Sequence, residues 1–195
     1  MDEIDSIARV GRRTVEPADL VPETPYIGLE HMPRGSITLD TWETAAKVTS
    51  TKLHFSVGDV LFGKLRPYFR KVGMAFVDGV CSSDILVLQP EEQSLSSYLL
   101  LKLSQQEVID YANAVSNGAR MPRVGWADIA HYPTVLPSCD VLGSFERTVS
   151  PLIQQLRANT FESRTLVSLR DTLLPKLLSG EIRAREAEAL AGATA

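Results

Sequence analysis

The chain has 195 residues, 44% hydrophobic and 23% charged, with 20 Lys and Arg against 24 Asp and Glu for a net charge of -4. That balance suits a folded protein of one compact domain with an appendage. No apolar run approaches the ~20 residues of a membrane-spanning helix, and the first ten residues, with Asp2, Glu3 and Asp5, lack the apolar core of a secretory signal, so a cytoplasmic protein is expected.

Up to residue 140 the sequence reads as a mixed α/β domain. Short β-like runs recur at Tyr26–Leu29, Asp59–Phe62, Met74–Val77 and Ile85–Leu88, separated by turn formers such as Gly58, Pro67 and Asp78-Gly79. A helical stretch follows from Leu95 to Val115. Ser104 and Glu107 have capping-box spacing, which predicts two helices meeting at Ser104. Residues 116–123 form a loop by composition, and an extended piece runs from Tyr132 to Pro137. Cys81 and Cys139 have no metal-ligand spacing and read as two buried thiols.

Beyond residue 140 the pattern changes. Phe145, Val149, Leu152 and Leu156 alternate steps of four and three, and Leu166, Leu169, Leu173 and Leu177 resume the seam. This predicts a long coiled-coil helix from about 141 to 178 within a spacer or dimerisation segment 141–183. Such a rod needs a partner helix, since a 140-residue domain cannot cover it. Gly180 is the expected stop signal, and 184–195 is expected to be a disordered tail. Asn159 and Ser163 interrupt the seam, either as a helix break or as polar groups that set register.

The charge-bearing motifs exclude several chemistries. There is no GxGxxG and no GxxxxGK[ST], so neither a dinucleotide nor a nucleoside triphosphate is signalled. His31, His54 and His131 show no HExxH or HxH spacing, and there is no GxSxG elbow. No catalytic or metal-binding residue is assigned, and no cofactor is expected in this chain.

Two segments stand out as DNA-binding candidates despite the acidic total, since clustering matters more than net charge. One is Gly63–Lys71, where Lys64, Arg66, Arg70 and Lys71 interleave with Tyr68 and Phe69. Cations bind phosphates and Arg can reach guanine edges; a solvated loop whose charges pair with nearby carboxylates is the alternative. The other is the loop with Ser116, Asn117, Gly118, Arg120 and Arg123, whose small polar groups and backbone amides suit phosphates or base edges. Its alternative is a plain connection with Arg120 and Arg123 packed on Trp126.

Several of these segments together resemble the target-recognition domain of type I restriction-modification DNA-specificity subunits. They are Tyr26–His31, Gly58–Tyr68, Cys81–Leu88, Asp110-Tyr111-Ala112, Met121-Pro122-Arg123-Val124 and Tyr132-Pro133. The run Leu169–Ile182 resembles the end of that family's spacer helix. The resemblance covers about residues 24–183, with two departures. The family's subunit carries two recognition domains and two helices, whereas here there is one of each. The helix entry, Leu-Pro-Pro-Leu-Glu-Glu-Gln in the family, reads Leu136-Pro137-Ser138-Cys139-Asp140-Val141-Leu142 here.

The resemblance implies a non-catalytic half-subunit that reads split double-stranded DNA as a homodimer or beside a second half-subunit. It implies a partner adenine-N6 methyltransferase that uses S-adenosylmethionine, and a restriction or translocase subunit that can join. The rival reading is a coiled-coil adaptor whose globular domain binds another protein.

Overall fold

Two β-sheets meet over one apolar core. The computed structural model describes residues 2–183; the expected tail 184–195 lies outside the described residues. The strands are β1 (Asp2–Glu3), β2 (Ala8–Val10), β3 (Thr14–Val15), β4 (Pro25–Ile27), β5 (Glu43–Thr44), β6 (Lys52–Phe55), β7 (Val60–Gly63), β8 (Val72–Met74), β9 (Gly79–Cys81) and β10 (Ile85–Pro90). Then follow α1 (Ser96–Leu103), α2 (Gln106–Ala114), α3 (Trp126–Ala130), β11 (Pro133–Thr134) and α4 (Cys139–Leu178).

One sheet has the antiparallel order β2-β10-β7-β8. The other is β3-β6-β9-β4-β5, antiparallel except that β4 runs parallel to β9. A short pair, β1 with β11, ties Glu3 to Pro133. Ile27, Phe55 and Cys81 from the second sheet pack with Leu61, Ile85 and Val87 from the first. β7 is buried at all four positions, which is why Val60-Leu61-Phe62 reads as a continuous apolar run. Burial pushes the Cys81 thiol up to about 12; Cys139, in contrast to the expectation of two buried thiols, is exposed.

Two helices flank Ser104 as expected, but the capping box that predicts them does not form. The Ser104 hydroxyl donates back to the Leu101 carbonyl at 2.9 Å, and Gln105 precedes α2 without a side-chain cap. The Met74–Val77 run also differs. The strand is Val72–Met74; Ala75 still bonds across, donating to the Asp59 carbonyl and accepting from Gly58 N–H, so that two residues before β7 face one and the regular register ends there.

α4 is one helix of 40 residues, about 60 Å at 1.5 Å per residue. It runs through Asn159 and Ser163 without interruption, so neither residue is a helix break. Gln155 donates to Asn159 Oδ1 at 2.7 Å along its surface. The helix ends as Gly180 predicts: that glycine has φ +74° and its N–H donates to the Leu177 carbonyl at 3.2 Å.

The composition shifts near residue 140, where α4 begins, whereas the chain divides into compact units at Gln154/Gln155. The first turns of α4 belong to the first unit because their side chains pack there. Leu142 and Ile153 are buried, and the Phe145 ring meets Tyr98 edge-on at 6.1 Å between centroids. Glu146 caps the start of α1. Its Oε1 accepts from the Ser97 and Tyr98 N–H groups at 3.0 and 3.4 Å, and its Oε2 from the Ser97 hydroxyl at 2.7 Å. A carboxylate there satisfies amides that a helix start leaves open and meets the positive end of the helix dipole. No described helix is long and apolar enough to cross a membrane.

Candidate nucleic-acid interface

The segment Lys64–Lys71 is the loop between β7 and β8, closed at its base by Gly63 N–H donating to the Lys71 carbonyl at 2.8 Å. Inside it Pro67–Phe69 form one 3-10 turn, and Arg66 and Arg70 on either side have left-handed backbones, φ 52° and 50°. Each costs about 1–2 kcal/mol for a residue with a Cβ, so the surroundings must hold this loop in shape.

The second candidate loop does much of that holding. Asn117 and Arg123 exchange backbone hydrogen bonds at 2.9 Å in both directions, which pinches 117–123 into a tight turn. Gly118 sits there at φ +109°, a conformation that glycine adopts without strain. Across the gap, Arg66 N–H donates to the Pro122 carbonyl at 2.8 Å and Val124 N–H to the Lys64 carbonyl at 3.1 Å. Leu65 bridges to Arg123. Two cationic segments some fifty residues apart in sequence are thus one surface.

The individual cations differ in how they are used. Lys64 and Arg120 make no side-chain hydrogen bond or ion pair among the described residues. Arg66 reaches the Arg120 carbonyl with Nη2 at 3.5 Å, and Arg70 reaches the Ser104 carbonyl with Nη2 at 3.2 Å. The Nε atoms of both arginines are buried with no acceptor among the described residues. Lys71 donates through Nζ to the Leu29 carbonyl. Burial, and then the neighbouring Arg34 charge, lower its pKa below the ordinary lysine value. Arg123 is paired to Asp84 at 3.1 Å. Tyr68 is half exposed and meets Phe69 edge-on at 4.7 Å. Ser116 turns its hydroxyl to the Asn113 carbonyl at 2.7 Å, and residues 117–121 form the exposed part of that loop.

Arg34 was not legible as a site residue. Its guanidinium lies over the Phe69 ring, 3.7 Å from the centroid, and Gly35 N–H donates to the Arg70 carbonyl at 3.1 Å. A third segment therefore joins the cationic surface, one whose sequence holds a single positive charge between Pro33 and Gly35.

The seam residues of α4 divide by unit. In the first, Phe145 and Val149 are half-buried while Leu152 is 62% exposed. In the second, Leu166 is 56% and Leu177 36% exposed, and Leu156, Leu169 and Leu173 are half-buried.

A search for a matching family model finds none. Among known proteins, the specificity subunit of the type I restriction enzyme EcoDI from Escherichia coli is 24% identical over 190 residues, 93% of this chain and 41% of that one. The chain is a homologue of type I restriction specificity subunits. The HindI specificity subunit of Haemophilus influenzae is 27% identical over 94 residues, 48% of this chain and 20% of its own length. The crystal structure of the HsdS subunit from Thermoanaerobacter tengcongensis superposes with a TM-score of 0.59 at 17% identity, over 90% of this chain and 46% of that one. The likeness extends to the fold, a mixed α/β domain followed by a long helix. This specificity-subunit homologue spans less than half the length of the relatives it matches.

Proposed function

We propose that this chain is a sequence-reading, non-catalytic half-subunit of a cytoplasmic type I restriction-modification assembly. The observation that carries the reading is the joining of the Lys64–Lys71 and Ser116–Arg123 loops into one cationic surface within a net acidic domain. Phosphate contacts from Lys64, Arg66 and Arg120 would position the duplex, and the loop tips would reach base edges. The partner methyltransferase would bind S-adenosylmethionine and methylate adenine N6, and a restriction subunit can join the same assembly. The adaptor reading offers no reason for these cations.

The exposed leucines of α4 support self-association as a homodimer. A twofold dimer reads the same half-site on each strand, so the target is an interrupted palindrome. Half-sites read from one face of B-DNA lie roughly 10 bp apart, centre to centre.

The test is to express the chain with its methyltransferase in cells free of N6-methyladenine and map the modified bases. A palindromic, interrupted motif is expected. An asymmetric motif would identify a second, different half-subunit as the partner, and the absence of any motif would overturn the reading.

A further inference from the structure

Against the cationic loops lies a half-open cavity of about 270 Å³, lined by Leu29, Leu65, Phe69 and Met121 together with Arg66 and Lys71. Met121, on this face, stands partly in water at 47% exposure, and Tyr68, packed edge-on against the lining residue Phe69, is 49% exposed. A surface that only gripped phosphates would gain nothing from either, because phosphates are charged and hydrated. The walls are also held in place. Lys71 is bonded to the Leu29 carbonyl, Arg34 covers Phe69, and the pinched turn at Asn117–Arg123 carries Met121.

The major-groove edge of DNA presents one apolar group, the 5-methyl of thymine. Resting on the DNA-reading function proposed above, we propose that this cavity receives the methyl-bearing edge of a thymine, with Met121 as the residue that selects it. The surrounding cations hold the adjacent phosphates, so the occupant is a base edge of duplex DNA, complementary in charge at the rim and in polarity at the floor. Cytosine would turn its N4 amino donor toward this apolar wall, where the Leu29 carbonyl is already taken by Lys71.

The experiment uses the full chain assembled with its methyltransferase and the target found by methylation mapping. Each thymine of the duplex is replaced in turn by deoxyuridine, which keeps the base pair and removes only the methyl. At one thymine per half-site, affinity should fall about fourfold, the equivalent of ~0.8 kcal/mol for one buried methyl, and about fifteenfold with both half-sites substituted. Met121→Ala, on an exposed loop and so folding as the parent does, should bind thymine and deoxyuridine duplexes alike. The proposal is overturned if the parent stays sequence-selective while no substitution changes affinity by more than about 1.5-fold. It is equally overturned if Met121→Ala keeps the parent's discrimination. Loss of selectivity by the parent on unmodified duplexes is a distinct result, and sinks the DNA-reading function along with the cavity assignment.

Discussion

Arg123 donates through Nε to Asp84 Oδ1 at 3.1 Å, joining the loop after α2 to the turn before β10. Both side chains are substantially in water, so the pair contributes at most about 1 kcal/mol. Its greater effect is on charge, because Asp84 neutralises one cation of the candidate surface. Asp84→Asn should therefore leave the urea midpoint nearly unchanged. The assembled complex should bind non-specific duplex with a salt dependence steeper by roughly 0.9 in log–log slope, one added phosphate contact. An unchanged slope would place Arg123 away from the DNA.

Lys64 and Lys71 separate into different roles although they bracket the same loop. Lys64→Glu removes a cation that bonds to nothing among the described residues, so DNA affinity should drop while unfolding stays as in the parent. Lys71→Glu sets a carboxylate against the Leu29 carbonyl that its ammonium now satisfies, and should cost about 2 kcal/mol of stability. Urea melts run beside DNA titrations distinguish the two. Equal destabilisation by both substitutions would contradict this division.

Leu152 and Leu166 are exposed apolar positions on α4, at 62% and 56%. A glutamate at either should weaken self-association about tenfold or more, by forcing a charge into the seam. Light scattering on the parent provides the reference. A stable parent monomer at micromolar concentration would remove the basis of the dimer.

His131 Nδ1 lies 2.7 Å from Glu3 Oε2, and that hydrogen bond raises the imidazole pKa above its ordinary 6.5. The folded value exceeds the unfolded one. The contribution to stability is therefore complete below pH 6.5 and is lost as pH rises through the folded value. An NMR titration should find the His131 midpoint above 6.5, and Glu3→Gln should return it toward 6.5. A midpoint that ignores the substitution would break the link.

The buried strands were legible in the sequence because β7 and β10 are covered enough to be apolar almost throughout. β3, β5 and β9 were not, since two or three residues carry no period and depend on partners distant in the chain. Ser104 misled by its spacing: its hydroxyl found the Leu101 carbonyl of the helix it closes before it could cap the next one. Both cationic loops could be picked out by residue type. Their union could not, because it rests on backbone groups such as Arg66 N–H and the Pro122 carbonyl, which every sequence supplies. Arg34 was hidden for a related reason, as its contact with the Phe69 ring exists only once the loops have met.

The cap that Glu146 places on α1 fixes an angle as well as an energy. With its carboxylate locked to Ser97 and Tyr98, the first turns of α4 cannot rotate about their own axis against the domain. Each α-helical residue advances about 100° around that axis. A single residue inserted between Glu146 and Val149 would thus swing Val149 and Leu152 through more than a quarter turn while Phe145 stayed on Tyr98. The facing of Val149 and Leu152 is written into one side chain's grip, and a change of phase there would turn both without altering either residue.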